Sequence, residues 1–167
     1  MATLYHHPLC PHSRFVRLAL GEFGIEPELV EERAFDRRRE FLLLDPAGRT
    51  PVLVENNDFA VPGASVIAEW LDETRGLALG PRRLLPEDPA RRVEARRLTD
   101  WFLNKFHAEV TDWLVNEKVY KRFMTAEQGG GAPNMELVRA ARANIRYHLR
   151  YIGYLTSTRN WLAGPDM

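Results

Sequence analysis

A short segment rich in proline divides this chain of 167 residues into two parts with different hydrophobic patterns. Gly80-Pro81, Pro86 and Pro89 interrupt any regular element there, which is typical of a linker. Before this segment, short β-prone runs alternate with helical patterns, and after it apolar residues recur only at helical spacing. The sequence therefore predicts an α/β domain over residues 1–79, a linker over 80–90 and an all-helical domain over 91–167.

The first part predicts the element order β-α-β-α-β-β-α. Pro11 suits the first position of a helix, and Asn56-Asn57 suits a tight turn between antiparallel strands. The predicted strands are 3–6, 28–32, 51–55 and 58–61, and the predicted helices are 11–21, 36–44 and 65–76. This order predicts a mixed four-stranded sheet with helices packed against it.

The second part predicts two long amphipathic helices that form an antiparallel pair. Apolar residues recur at three and four on both sides of a Gly-rich break at 129–133, and they are Val93, Leu98, Trp101, Phe102, Phe106, Val110, Trp113 and Leu114, then Val138, Ala141, Ile145, Leu149, Ile152 and Leu155. Residues 161–167 look like a turn that leads onward, so we expect a fragment of a longer helical domain. Such a fragment leaves apolar surface exposed on its last two helices.

Composition favours no charged class of partner and indicates the cellular compartment. Lys plus Arg equals Asp plus Glu at 23 each, so no net charge favours nucleic acid or an anionic membrane. The single cysteine cannot form an internal disulfide, which fits a reducing compartment, and the cytoplasm is the predicted location. The N-terminus does not match a signal peptide, and no segment is apolar enough to span a bilayer.

Two residues near the first predicted helix are candidate nucleophiles. Cys10 lies at the helix start, where unpaired backbone N–H groups and the positive end of the dipole favour a thiolate. Ser13, one turn further on, is the competing hydroxyl. The structural alternatives are a small cysteine that only fills space and a serine that satisfies local backbone donors.

A metal site is not predicted. His6, His7, Cys10 and His12 are close in sequence, but neighbouring strand residues point to opposite faces, so His6 and His7 do not converge readily. Their spacing also matches none of the common zinc motifs.

Three further features have both a structural and a functional interpretation. Thr50-Pro51 would present its backbone to an extended ligand if the peptide bond is cis. Ser65 is either an ordinary N-cap or part of a carboxylate site at a helix N-terminus. Arg37-Arg38-Arg39 with Arg33 is either a solvated helix face or a docking patch for an acidic partner.

These motifs together resemble the glutathione S-transferase superfamily. The segment 4–18 is similar to the family's first strand, catalytic turn and first helix, and 45–51, Asp-Pro-Ala-Gly-Arg-Thr-Pro, is similar to its cis-proline segment. The resemblance implies a thioredoxin-like N-terminal domain followed by an all-helical C-terminal domain that is incomplete here. It also implies catalytic Cys10 or Ser13 and a glutathione site at Arg49, Thr50, Pro51 and Ser65.

One position departs from the family pattern. Ala64 stands where the family carries an acid that pairs with the γ-glutamyl ammonium of glutathione. A lost charge-assisted contact is worth about 1.5 to 3 kcal/mol, roughly ten- to a hundredfold in affinity. Glutathione is therefore expected to bind weakly or not at all.

The helical part carries a narrower resemblance. Segments 101–111, 117–122, 144–153 and 159–164 are similar to the FzlA-type subgroup of alphaproteobacteria, which includes a dimeric member that binds filaments of the division GTPase FtsZ. The resemblance implies a homodimeric adaptor with weak or no glutathione conjugation. The alternatives are an active cysteine- or serine-type glutathione transferase or thiol transferase, and a degenerate chain with neither role.

Overall fold

The computed structural model describes residues 2–56 and 59–164. The chain forms two compact units, Met1–Leu85 and Pro86–Met167, and the division falls within the predicted linker. The linker contains some regular structure: Gly76–Arg82 forms 3-10 turns that are interrupted by a kink at Gly80, where φ is 54°, and the next helix starts at Pro89. No helix among the described residues combines the length and apolarity needed to cross a membrane.

A mixed sheet of four strands organises the first unit, as predicted. The strands are β1 (Thr3–His6), β2 (Glu28–Glu31), β3 (Val52–Val54) and β4 (Ala60–Pro62), in the order β2-β1-β3-β4. β1 is parallel to β2 and antiparallel to β3, and β3 is antiparallel to β4. Part of the turn predicted at Asn56-Asn57 lies outside the described residues.

Three helices pack with this sheet: α1 (Pro11–Glu22), α2 (Arg39–Leu44) and α3 (Ala64–Arg75). The core is apolar, and its fully buried members are Leu4, Val16, Val52, Leu53, Ile67 and Leu71. Tyr5 points to the opposite face of β1 from Leu4, and its ring lies 5.8 Å from that of Phe41 in α2. The sheet therefore has helices on both faces.

The helix predicted over 36–44 is interrupted. Ala34–Asp36 forms a 3-10 turn, Arg37 takes a left-handed conformation with φ of 46°, and α2 starts only at Arg39. The reason lies in Glu32, which is 1% exposed and receives Nε and Nη2 of Arg38 at 3.1 and 2.5 Å. Since a buried carboxylate requires a charged partner, Arg38 is held against Glu32 and the chain cannot continue as a helix through it.

The second unit contains two helical rods. The first consists of α4 (Pro89–Asp100), a π-helical segment (Trp101–Thr111) and α5 (Asp112–Lys118), and the second is α6 (Met135–Thr158). The first rod is helical, as its apolar spacing predicted, but i→i+5 bonding replaces i→i+4 bonding in its middle. Single-sequence periodicity contains no signal for that change.

Contacts between the rods run in opposite directions, as predicted. Arg159 reaches Glu94 at 2.6 Å, Trp101 reaches His148 at 3.1 Å, and Asn144 reaches the Glu109 carbonyl at 3.1 Å. At the far end, the backbone N–H of Asn134 donates to Glu117 at 2.6 Å. Later residues of the first rod thus pair with earlier residues of the second, so the rods are antiparallel.

A polar network joins the centre of the rods. His148 is completely buried; its Nδ1 accepts the indole N–H of Trp101, and its Nε2 lies 3.0 Å from Oε2 of Glu109. A hydrogen bond from Lys105 is the largest effect that lowers the pKa of Glu109. The network gives both ring nitrogens of the buried His148 a hydrogen-bond partner. The sequence did not predict this network.

Apolar surface is exposed on α6, where it was expected. Tyr147, Leu149 and Tyr154 are 56%, 55% and 63% exposed. Val93 of α4 is also exposed, at 64%.

Candidate functional site

The candidate site begins at Cys10, the N-cap residue of α1. Pro11 starts the helix, and the Cys10 carbonyl accepts the Arg14 N–H at 3.0 Å. The half-buried Sγ lies 3.7 Å from the Thr50 carbonyl oxygen and 3.9 Å from Nδ1 of His12. The thiol therefore sits at the positive end of a 12-residue helix, beside the predicted cis-proline segment.

Asp45 shapes that segment and was predicted only as a turn residue. Its buried carboxylate accepts the backbone N–H groups of Ala47 and Arg49, both at 3.1 Å. The Thr50-Pro51 bond that follows is cis, as the family resemblance implied. The Arg49 side chain is exposed, and Thr50 is half-buried.

The start of α3 is joined to the same segment. The Gly63 N–H donates to the Pro51 carbonyl at 3.0 Å, and Gly63 caps α3 with φ of 89°. The helix therefore starts at Ala64, one residue before the predicted start, and Ser65 is exposed and not the N-cap. The positive φ of the capping position favours glycine. Because glycine has no side chain, no side-chain hydrogen bond caps α3.

Ser13 lies beneath the turn. It is completely buried, and its hydroxyl accepts the His7 N–H at 3.2 Å. This contact supports the structural alternative for Ser13, a local backbone acceptor, and leaves Cys10 as the more accessible of the two candidate nucleophiles.

Two histidines that precede Cys10, His6 and His7, have lowered pKa values. Burial lowers the pKa of His6, and the nearby Arg17 cation lowers it further. Burial also lowers the pKa of His7, against an opposing effect of Glu31. Within residues 2–56 and 59–164, no group of three or more His, Cys, Asp or Glu side chains is placed to hold a metal ion.

In the structure, the Cys10 sulfur therefore lies beside the Thr50 carbonyl, and the Pro51 carbonyl is hydrogen-bonded to Gly63, the cap of α3. A family model described as the glutathione S-transferase N-terminal domain matches residues 4–82. FtsZ-localized protein A of Caulobacter vibrioides is 42% identical over 168 residues, which span 99% of this chain and 70% of that protein. This chain belongs to the glutathione S-transferase superfamily.

Solved structures of the superfamily agree with this assignment. A glutathione S-transferase from Sinorhizobium meliloti 1021 superposes with a TM-score of 0.97 at 52% identity, over 100% of this chain and 72% of that one. FzlA from C. crescentus superposes with a TM-score of 0.88 at 41% identity, over 99% of this chain and 71% of that one. The resemblance to the FzlA-type subgroup, first drawn from the helical segments, is confirmed.

Proposed function

We propose that this glutathione S-transferase-fold protein is a cytoplasmic homodimeric adaptor that binds FtsZ filaments and conjugates glutathione weakly or not at all. The observation that carries the proposal is Ala64. It is the first residue of α3 and only 4% exposed, so a buried methyl group occupies the position where the family carries an acid.

A methyl group cannot replace the missing acid. It accepts no hydrogen bond and carries no charge, so the ammonium of a bound glutathione would lose its partner. The first turn of α3 contains no other acidic residue. The scaffold is therefore kept while a principal contact for the cosubstrate is lost, which favours a binding role over conjugation.

A dimer suits the adaptor role. A two-fold dimer presents the same surface twice, so one molecule can contact two neighbouring filaments. The 42% identity to a protein named for its FtsZ localisation supports FtsZ as the partner.

We expect the complete protein to pellet with polymerised FtsZ in a co-sedimentation assay, because many identical sites along a filament strengthen binding of a dimer. Excess reduced glutathione should leave the pelleted fraction unchanged, since the proposed contact does not use the glutathione site. Unpolymerised FtsZ in the presence of GDP is the control. Absence of the protein from the pellet would contradict the adaptor proposal.

A second candidate function rests on Cys10. Its sulfur is half-exposed at the N-terminus of α1 and beside the Thr50 carbonyl. The Cys10 thiolate can attack one sulfur of glutathione disulfide, forming a mixed disulfide and releasing the other half as glutathione thiolate. This exchange makes the protein a glutathione-dependent thiol transferase.

Glutathione disulfide is expected to add one glutathionyl group under this second candidate, detected by mass spectrometry of the intact protein. Cys10 is the only cysteine of the chain, so Cys10→Ala must abolish the adduct. Adduct formation at the rate of an unstructured cysteine peptide would argue against a functional thiol.

A further inference from the structure

An arginine ladder runs along α6, defined here as Arg139, Arg142, Arg146 and Arg150. The spacings are three, four and four, so all four side chains fall on one stripe of the helix, and all four are exposed. The stripe lies away from the buried face of α6, whose members include Val138, Ala141 and His148. The ladder is therefore exposed among residues 86–164, the described part of the second unit.

The ladder is not neutralised by the part of the chain that the structure describes. None of its four members has a hydrogen bond or an ion pair with residues 2–56 or 59–164. Some other arginines are paired, among them Arg38 with Glu32, Arg83 with Asp72, and Arg97 with Glu94. The ladder is a local excess of cations in a chain whose Lys plus Arg equals Asp plus Glu.

The spacing also opposes helix formation. Arg142 and Arg146, and Arg146 and Arg150, are like-charged pairs at i,i+4. Each such pair destabilises an isolated helix slightly. A bound anion would remove this repulsion.

The spacing of the arginines matches the side-chain spacing of an extended peptide. The ladder covers about 17 Å along the helix axis, with steps of about 4.5 to 6 Å. Side chains on one face of an extended peptide repeat about every 6.7 Å, and guanidinium groups bind carboxylates through two parallel hydrogen bonds. A short extended segment with acidic residues at alternate positions can therefore contact several arginines at once.

We propose that the arginine ladder of α6 docks an acidic, carboxylate-bearing segment of a partner polypeptide. A nucleic acid is the less favoured occupant, because the chain has a net charge of zero and a pI near 7.0, whereas nucleic-acid-binding domains are commonly strongly basic. The inference rests on α6 alone and does not depend on the glutathione site or on FtsZ.

The test uses the complete protein and a fluorescein-labelled peptide of alternating Glu and Ser, with binding followed by fluorescence anisotropy at low salt. The peptide should bind, and added salt should weaken binding. Arg142→Gln with Arg146→Gln should raise the Kd at least about tenfold, because two charge-assisted contacts are lost. A peptide of alternating Gln and Ser should not bind.

Two variants make the result specific. Arg82→Gln with Lys118→Gln removes two exposed charges elsewhere and should change the Kd by less than about twofold. Arg142→Lys with Arg146→Lys keeps the charge but loses the paired guanidinium geometry, so its Kd should lie between those of the wild type and the Gln variant. Circular dichroism checks that every variant keeps its helices.

Several results would overturn the proposal. The first is no binding of the acidic peptide. The second is an unchanged Kd in the Arg142→Gln, Arg146→Gln variant. The third is an equal loss of peptide affinity in the Arg82→Gln, Lys118→Gln control. Tighter binding of a labelled oligothymidylate than of the acidic peptide would replace the carboxylate partner with a nucleic acid. A failure to bind FtsZ would leave this result untouched, so the two proposals can fail separately.

Discussion

Replacing Ala64 with Glu is expected to raise the affinity for glutathione roughly ten- to a hundredfold, since a charge-assisted hydrogen bond contributes about 1.5 to 3 kcal/mol. Ala64 is the first helical residue of α3 and has Gly63 as its cap. A carboxylate there also gains from the positive end of the helix dipole.

Isothermal titration calorimetry of the complete protein with reduced glutathione measures this gain. Ala64→Gln is the matched control, because it has the size of Glu but no charge and should recover only a small part of the effect. Equal affinities in the wild type and Ala64→Glu, with both proteins folded, would show that Ala64 is not the missing contact. Tight binding by the wild type would weaken the adaptor proposal directly.

Replacing Arg83 with Met is expected to destabilise the first unit by about 3 to 5 kcal/mol, the usual effect of removing one partner of a buried ion pair. Asp72 of α3 is 3% exposed, and its two carboxylate oxygens accept Nε and Nη2 of Arg83 at 2.9 and 2.6 Å. Without Arg83, the aspartate charge remains buried and uncompensated. The Tm of the first unit should fall by at least about 10 °C.

Thermal unfolding monitored by circular dichroism tests this expectation. Arg82→Met is the matched control, because Arg82 is the exposed neighbour in sequence and its loss should lower the Tm by only a few degrees. Asp72→Asn combined with Arg83→Met should recover much of the loss, since it removes the stranded charge. A similar Tm for Arg83→Met and Arg82→Met would show that the pair contributes little.

The Asp72–Arg83 pair also explains why residue 76 is glycine, a position that the sequence analysis predicted only as the end of a helix. A Cβ atom on Gly76 would lie 2.8 Å from Oδ1 of Asp72 and 3.0 Å from Nε of Arg83. Glycine is therefore required for close approach to the ion pair, and not for positive φ. The residue was correctly placed at the end of α3, but for a different physical reason.

Much of the candidate site was predictable, because its parts are local. The Cys10-Pro11 step specifies the start of a helix, since proline suits its first position. The family resemblance implied the cis bond at Thr50-Pro51. The structure adds that Cys10 and Thr50 are neighbours, 40 residues apart in sequence.

The errors were non-local. Glu32 required Arg38 as a partner and so delayed α2 to Arg39. The Gly63 cap moved the start of α3 to Ala64 and left Ser65 exposed. In both cases a contact across a turn overrode the local propensity, which periodicity cannot report.

By itself, the sequence determined the order of strands and helices, the division into two parts, and the chemistry available at Cys10 and Ala64. These follow from hydrophobic period, proline and glycine positions and residue identity, all of which are local properties. Only the tertiary structure decided which hydroxyl is buried, which arginines are paired and how the helical rods contact each other. Those outcomes depend on which polar and charged groups are buried next to one another, and burial is decided by the packing of the whole chain.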